Sequence, residues 1–269
     1  MALKINSLLE RIGIGHNSVV GLALSGGGAK GFSHIGVLMA FERFGIKPDI
    51  MSGVSAGSIA SVLYAAGLTP NEIIKCFTDA SKFGDFTKWA IPKEGFLKLD
   101  KFGHLLEEWL PVKHLEELNI PTIVCATDLD HGKSVGWSKG EIVPRVIASC
   151  SVPIVFNPKK INGVQYVDGG VLRNLPAWAI RPYCKTLYGC NCAPLKDAPT
   201  GGAKTLIDIA YRSYHLMNKA NVPQDIRLCD HVIQVYDVSH VSIFDLTALQ
   251  KCVMAGYEAA MKVLEKEMS

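Results

Sequence analysis

Short apolar runs separate amphipathic segments along most of the chain, a pattern typical of proteins that alternate strands and helices. The apolar runs predict strands over residues 19–24, 50–51, 121–128, 133–138, 164–167, 186–189 and 232–235. Apolar positions at helical spacing predict helices over residues 32–44, 59–66, 101–110, 142–148, 205–218 and from 245 to near 269, and another that begins at Pro70. The opening order of strand, helix, strand and helix predicts a parallel strand pair with a right-handed crossover.

Three residues mark the ends of predicted helices. Gly45 stands where a C-cap glycine is expected. Thr69 precedes Pro70 and predicts an N-cap, and Asp100 is expected to cap the helix over residues 101–110. Residues 193–204 are rich in proline, glycine and lysine, which predicts a loop.

Two stretches depart from this regular pattern. Residues 1–18 predict an amphipathic helix and a linker ahead of a single domain over residues 19–269; the apolar positions are Ile5, Leu8, Leu9 and Ile12. That helix either packs on the domain or a partner chain, or touches a membrane. Residues 81–99 mix aromatic side chains with lysines. They are interpreted either as a lipid-contacting flap at the entrance of a site, or as a surface excursion whose aromatics fold back on the core.

Composition narrows the class of protein. The chain has 269 residues, of which 48% are hydrophobic and 20% charged, with a net charge of +3. Such a balance is ordinary for a globular protein and gives no indication of a nucleic-acid partner. We find no signal peptide and no apolar run near the ~18 residues that a spanning helix needs. The expectation is a cytoplasmic protein, with peripheral membrane contact left open and the oligomeric state unknown.

The eight cysteines are scattered through the chain. Most are flanked by apolar residues, which predicts reduced, buried thiols in an intracellular protein. Cys190 and Cys192 form the only close pair and lack a second pair at zinc-site spacing. No metal site is therefore expected.

Residues 53–57 read G-x-S-x-G, with Ser55 at the centre and Gly53 and Gly57 on either side. They follow a predicted strand and precede a predicted helix, which is the context of a nucleophile elbow. The helix would direct its N-terminal amides at the serine, where an oxyanion forms during acyl transfer. A plain turn rich in glycine and serine is the alternative.

The loop after the first strand holds Gly26, Gly27, Gly28, Lys30 and Gly31. Backbone amides of the first three glycines could form an oxyanion hole at the carboxyl edge of the sheet. Lys30 would support the loop, offer its charge to a phosphate head group, or simply solvate the start of the helix. The same spacing, G-x-G-x-x-G, is also a dinucleotide fingerprint, with Asp49 about 20 residues on. However, Asp49 precedes the second strand instead of ending it.

The chain offers two kinds of base for a nucleophilic serine. Six histidines follow Ser55, none in a distinctive local setting: His104, His114, His131, His215, His231 and His240. Asp168 ends a predicted strand and is followed by Gly169 and Gly170, which would let it approach another backbone closely. Taken alone, that stretch also reads as an ordinary Asp-Gly turn.

Taken together, the glycine loop, the Ser55 elbow and the Asp168 turn resemble the patatin-like phospholipase family. The resemblance continues in His34-Ile35-Gly36 and in Ser149-x-x-x-Pro153, and it covers residues 19–176. It implies a three-layer α/β/α fold around a mainly parallel sheet, with Ser55 as nucleophile and Asp168 as its sole partner. It also implies hydrolysis of fatty acyl esters of lipids through an acyl-enzyme, with no cofactor or metal.

Two functions from other classes stay open at this point. One is a nucleotide-binding oxidoreductase domain built on the glycine loop. The other is a catalytically silent lipid-binding protein that keeps the fold. Reaction with an active-site serine probe separates these possibilities from a serine hydrolase.

Overall fold

The computed structural model describes residues 19–79, 99–194, 205–242 and 245–268. Its strands are β1 (Val20–Leu24), β2 (Ile50–Val54), β3 (Thr122–Asp128), β4 (Lys133–Trp137), β5 (Lys159–Ile161), β6 (Val164–Asp168), β7 (Thr186–Asn191) and β8 (His231–Gln234). Its α-helices are α1 (Ser33–Arg43), α2 (Ala56–Ala65), α3 (Pro70–Thr78), α4 (Asp100–Trp109), α5 (Ile142–Cys150), α6 (Ala177–Ile180), α7 (Leu206–Ile226) and α8 (Leu249–Met268).

All eight strands form one mixed sheet. Its order is β5-β6-β3-β2-β1-β7-β8, and β4 also pairs with β3. Within this order, the neighbouring strands β3, β2, β1, β7 and β8 are parallel to one another. Strands β4, β5 and β6 add antiparallel pairings at one end. The predicted parallel pair of β1 and β2 is therefore confirmed.

Helices cover both faces of the sheet because successive strand residues point to opposite sides. Leu22 and Leu24 of β1 belong to one buried cluster, together with α1, α2 and α8. Ala23 belongs to a second cluster on the other face, which includes residues of α6 and α7. The predicted three-layer α/β/α fold is confirmed.

Helix α1 and helix α8 cross with their backbones in contact. A Cβ atom built on Gly36 would collide with the carbonyl oxygen of Val253, and one built on Gly256 would collide with that of Ser33. Neither position therefore has room for a side chain. The crossing fixes α1, which begins immediately after the glycine loop and its 3₁₀ turn (Gly28–Phe32).

The helix ends agree with the sequence at two positions and differ at two. Gly45 has a φ of +66°, and Thr69 forms a capping box with Glu72, so both predicted caps are confirmed. The prediction for Asp100 is wrong, because Leu99 is the N-cap and Asp100 lies inside α4. Helix α7 continues to Ile226, eight residues beyond the predicted end.

Three predicted segments lie wholly or mostly outside the described residues. These are the N-terminal segment over residues 1–18, nearly all of the aromatic and lysine-rich stretch over residues 81–99, and most of the predicted loop over residues 193–204. Among the helices that the structure does describe, none combines the length and the apolar character needed to cross a bilayer.

Candidate active site

Ser55 lies at a sharp turn between β2 and α2, as the sequence predicts. Its φ of 52° and ψ of −124° place it in a backbone region that residues other than glycine rarely occupy. Such strain costs about 1–3 kcal/mol and persists only where the surroundings hold it. Ser149 does so on one side, because its Oγ accepts the Ser55 N–H at 2.8 Å and donates to the Cys125 carbonyl at 2.6 Å. On the other side, the Ser58 hydroxyl donates to the Ser55 carbonyl at 2.7 Å.

The two glycines of the elbow bring it against the end of β1. A Cβ atom on Gly57 would collide with the carbonyl oxygen of Leu24, and one on Gly53 would collide with the backbone of Gly57. Gly31 is equally crowded, because its Cβ would meet that of Ala56. The glycine loop and the Ser55 turn are therefore in direct contact.

Asp168 ends β6 in a fully buried position. Its Oδ1 accepts the Gly170 N–H at 2.8 Å, and its own N–H donates to the Ser151 carbonyl at 2.9 Å. Burial raises the pKa of this carboxyl to about 6, while the Gly170 amide and the hydroxyls of Ser55 and Tyr214 act in the opposite direction. Within the described residues, Oδ2 makes no hydrogen bond of normal geometry, although both hydroxyls lie close to the carboxylate.

The glycine loop is held by hydrogen bonds from several elements. The Ser25 N–H donates to the Cys190 carbonyl at 3.0 Å, and the Cys192 N–H donates to the Ser25 Oγ at 3.1 Å. Nε2 of His34 lies 2.8 Å from the Ser25 carbonyl oxygen. Burial lowers the pKa of His34 to about 4, so its ring is neutral and Nε2–H donates to that carbonyl.

The three predicted oxyanion glycines differ in what their amides do. The Gly26 N–H already donates to the Asn174 carbonyl at 3.2 Å. In the part of the chain that the structure describes, the amides of Gly27 and Gly28 make no hydrogen bond. Both residues line the same cavity as Ser55. Two amides without a partner therefore belong to residues that line the cavity, and the third holds the loop.

Lys30 is buried beneath this loop. Its Nζ donates to the Ser239 carbonyl at 3.2 Å, and burial lowers its pKa. This contact favours loop support over a phosphate head group, and the burial of Lys30 disfavours a solvated lysine.

Ser55 opens into a cavity of about 390 Å³. Most of the lining is apolar and includes Phe32, Ile35, Ile59, Ile73, Phe77 and Phe102. A concave apolar site with a few polar groups at one end suits a ligand that has an aliphatic tail and a polar link.

The six candidate histidines are distributed over the surface and the cavity. His104, His114 and His131 pair with nearby carboxylates at exposed positions, whereas His215 lines the cavity. Burial, with Lys30 and Arg212 nearby, lowers the pKa of His215 to about 4. Among the groups that act on the Asp168 carboxyl, none is a histidine.

One set of residues near the site was not predicted from the sequence. The side chains of Asn221 and Asp225 on α7 bind the segment that follows Asp168. Asn221 donates to the Gly170 carbonyl at 2.8 Å, and Asp225 accepts two hydrogen bonds from Arg173, at 2.6 and 2.8 Å. The available signal was the spacing of Tyr214, Asn218, Asn221 and Asp225, which places four polar side chains on one helical face.

Cofactor sites receive no support from the described residues. Asp49 does not reach the glycine loop, because its carboxylate accepts the Val20 N–H at 2.7 Å at the opposite end of β1. That position does not suit a ribose ligand of a dinucleotide site. No group of three or more metal-ligating side chains is found in the described ranges.

Comparison with known proteins identifies the family. A model of the patatin-like phospholipases matches residues 22–180, more than half of the chain. The chain belongs to the patatin-like phospholipase family. An uncharacterized NTE family protein of Mycobacterium tuberculosis is 29% identical over 200 residues, which cover 66% of this chain and 52% of that protein. The patatin-like chain thus spans about half the length of such a relative.

Two further likenesses agree with the family. The lysophospholipase NTE1 of Cryptococcus neoformans is 30% identical over 170 residues, which cover 60% of this chain and 10% of that protein. The crystal structure of VipD from Legionella pneumophila superposes with a TM-score of 0.53 at 15% identity, over 94% of this chain and 67% of that one. This likeness concerns the fold.

Proposed function

We propose that this patatin-like chain is a serine hydrolase that cleaves fatty acyl esters of lipids. The observation that carries the proposal is the position of Ser55. It stands on a strained turn at the polar end of an apolar cavity, beside a buried carboxylate and two free backbone amides. A nucleophile, a base, an oxyanion site and a place for an acyl chain are the four requirements of acyl transfer.

In the first half of the reaction, Asp168 accepts the proton of the Ser55 hydroxyl as Oγ attacks the ester carbonyl carbon. The oxyanion that forms receives hydrogen bonds from the Gly27 and Gly28 amides, which need no reorganisation because they are already free. When the tetrahedral intermediate collapses, the C–O bond to the alcohol breaks and Asp168 returns the proton to the leaving oxygen. The acyl group then remains on Ser55.

In the second half, a water molecule attacks the acyl-enzyme while Asp168 accepts its proton. The C–Oγ bond breaks, Ser55 regains a proton, and the fatty acid leaves the cavity. An ordinary aspartate is a weak base in water, with a pKa of about 3.9. Burial raises the pKa of Asp168 to about 6, much closer to the pH at which a general base works best.

The substrate class follows from the cavity and is consistent with one relative. The apolar lining accommodates an aliphatic acyl chain, and the Cryptococcus relative is named as a lysophospholipase. We therefore propose lipid esters, lysophospholipids among them, as substrates. Contact with a membrane surface would accompany such activity.

A fluorophosphonate probe tests the nucleophile directly. We expect one label per chain, at Ser55, and loss of both labelling and esterase activity in a folded Ser55→Ala variant. Ser61→Ala is the matched control. Ser61 is a buried serine of α2, the helix that follows Ser55, and its hydroxyl donates to the Gly57 carbonyl. Labelling of Ser55→Ala at the wild-type rate would exclude Ser55 as the nucleophile. Absence of any labelling of the wild type would favour the silent lipid-binding alternative.

The base is tested by separate replacement of the six histidines named above, beside Asp168→Asn. We expect each histidine variant to keep activity within about tenfold, a barrier change of roughly 1.4 kcal/mol. A folded histidine variant as inactive as Ser55→Ala would replace the dyad by a triad, and His215 in the cavity is the position to watch.

A further inference from the structure

Helix α7 lies beyond residues 22–180, the part of the chain that the family model matches. Its Tyr214, Asn218, Asn221 and Asp225 follow one another at intervals of four, three and four residues. These intervals place the four side chains on one face of the helix. That face packs on the segment after Asp168 and not on solvent, since Tyr214 and Asn218 are buried and Asn221 and Asp225 bind it directly. A polar face in a buried position indicates a role beyond packing.

Three side-chain oxygens converge where residue 170 has no side chain. A Cβ atom at Gly170 would collide with the Tyr214 hydroxyl, and it would lie 2.8 Å from Asn218 Oδ1 and 2.9 Å from Asn174 Oδ1. Gly170 also donates its N–H to Asp168 Oδ1. The absence of a side chain at residue 170 therefore gives the phenol room beside the catalytic carboxylate.

Among the described residues, no cation acts on the charge of the Asp168 carboxylate. In the described residues, the groups that favour its charged form are the Gly170 amide and the Ser55 and Tyr214 hydroxyls. The Ser55 hydroxyl gives up its proton during the proposed reaction, so it cannot hold the carboxylate throughout. Tyr214 is the remaining side-chain donor, and a hydrogen bond to a charged acceptor is among the strong ones.

We propose that Tyr214 is a positioning residue whose phenol donates a hydrogen bond to the Asp168 carboxylate and keeps it ionised and directed at Ser55. This inference rests on the proposed function. It assigns to α7, a helix outside the matched region, one part of the machinery that makes a serine–aspartate pair work without histidine.

The titratable groups around this contact agree with a neutral, permanent donor. Burial and the nearby Asp168 raise the pKa of Tyr214 well above its usual value, so the phenol keeps its proton at any working pH. The Cys150 thiol faces Asp168 from α5, and burial raises its pKa as well. The charges of Arg173 and Asp225 affect the pKa of Cys125 on β3, and neither is among the groups that affect the pKa of Asp168.

Tyr214→Phe removes the hydroxyl and keeps the ring. Without this donor the pKa of Asp168 rises, so we expect the acid limb of the kcat/KM profile to move to higher pH. Below neutral pH the loss should be about tenfold to hundredfold, the usual effect of deleting a hydrogen bond to a charged group. KM for a short soluble ester should change little. Tyr183→Phe is the matched control, because Tyr183 is a buried tyrosine in the second core cluster.

A double-mutant cycle with residue 170 tests whether the position of the phenol hydroxyl matters for turnover, while the pH profile separates a bond to Asp168 from a purely structural role. Gly170→Ala should lower kcat in the wild type, because the new methyl group displaces the Tyr214 hydroxyl. In the Tyr214→Phe background the same change should cost clearly less. Equal losses in both backgrounds, together with an unmoved pH profile, would overturn the proposal.

Titration of the Asp168 carboxyl by ¹³C NMR separates this inference from the proposed function. The Asp168 signal is assigned by its disappearance in Asp168→Asn. A rise of its pKa in Tyr214→Phe supports the contact whether or not the enzyme is active. If the wild type neither turns over esters nor reacts with the probe, the proposed function is wrong; if the titration is unchanged by Tyr214→Phe, the inference is wrong.

Discussion

The Asp168 carboxylate stands in a fully buried position in which no cation acts on its charge among the described residues. Ionisation there is unfavourable, and this is why the pKa rises to about 6. The same property that improves Asp168 as a base therefore lowers the stability of the folded chain. The conflict between activity and stability is concentrated in one residue.

Asp168→Asn should therefore stabilise the protein while it abolishes turnover. The folded pKa near 6 lies above the unfolded value of about 3.9, so the native state binds the extra proton and the free energy of unfolding falls as pH rises between these values. Above pH 6 the penalty is on the order of 2–3 kcal/mol. We expect a higher Tm for Asp168→Asn at pH 7.5, measured by calorimetry.

The control for this prediction is the same comparison at about pH 4, where the aspartate is neutral in the folded state and the two proteins should melt within a few degrees of each other. A lower Tm for Asp168→Asn at pH 7.5 would show that the carboxylate is stabilised by its surroundings.

At this scale the sequence anticipated part of the site. Ser55 stood out because Gly53 and Gly57 lie on either side of it, and Asp168 because two glycines follow it. Both are buried at the end of a strand. The sequence could not show that the Gly26 N–H donates to the Asn174 carbonyl, nor that the Tyr214 hydroxyl acts on the Asp168 carboxyl. Both depend on contacts between residues far apart in the chain.

Among the elements, α1 and α8 cross so closely that no side chain fits between their backbones. It relies on Gly36 and Gly256, and α1 begins directly after the glycine loop. Any separation of these helices would displace the loop that holds the free amides of Gly27 and Gly28. The proposed oxyanion site thus depends on a helix about 220 residues further along the chain.

Gly256→Ala should be strongly destabilising although alanine is the better helix former. The added methyl group meets the Ser33 carbonyl, a backbone atom that cannot move alone. We expect a loss of several kcal/mol in unfolding free energy, above the ~1–3 kcal/mol typical of overpacking by a side chain. Denaturant titration measures it.

Gly103→Ala supplies the matched control within α4, where a new Cβ would lie 3.3 Å from a Val143 methyl group instead of colliding with a backbone atom. Helix propensity favours this change by up to about 1 kcal/mol and the shift of that methyl group opposes it, so the net change in unfolding free energy should be far smaller than for Gly256→Ala. A similar effect at both positions would mean that the crossing of α1 and α8 is not tight.

Helices and strands could be predicted where packing on the core requires apolar residues at a regular spacing, and less well elsewhere. Strands β1, β3 and β7 appear within two residues of their predicted positions. Strand β5 was missed, because only Ile161 among its three residues is apolar. The end of α7 was missed because its polar face contacts the segment after Asp168, so an apolar stripe could not reveal it.

At the scale of the whole molecule, the cavity lies where the Ser55 turn and the glycine loop meet several helices. Its lining comes from α1, α2, α3, α4, α5 and α7, so its depth is a property of several elements together. A side chain that fills this space should change which acyl chains fit without changing the chemistry at Ser55.

Ala60→Phe is such a change, because Ala60 lies on α2 and lines the cavity. We expect kcat/KM to fall for esters of long fatty acids and to hold for a four-carbon ester. Each methylene group that no longer fits in the cavity costs roughly 0.8 kcal/mol, which lowers kcat/KM about fourfold. A panel of esters of increasing chain length measures this, and an equal loss for all lengths would indicate damage to the reacting groups.

Strand β1 lies between β2 and β7, and β7 begins at Thr186, beyond the residues that the family model matches. The glycine loop is also tied to β7 and to Cys192, through the amide and the hydroxyl of Ser25. The stretch that carries the family's motifs is therefore not a stretch that recombination could transfer on its own. Excised after residue 180, it would leave β1 as a bare sheet edge and remove the hydrogen bonds of Ser25 to Cys190 and Cys192, so inheritance of this site requires inheritance of the entire sheet.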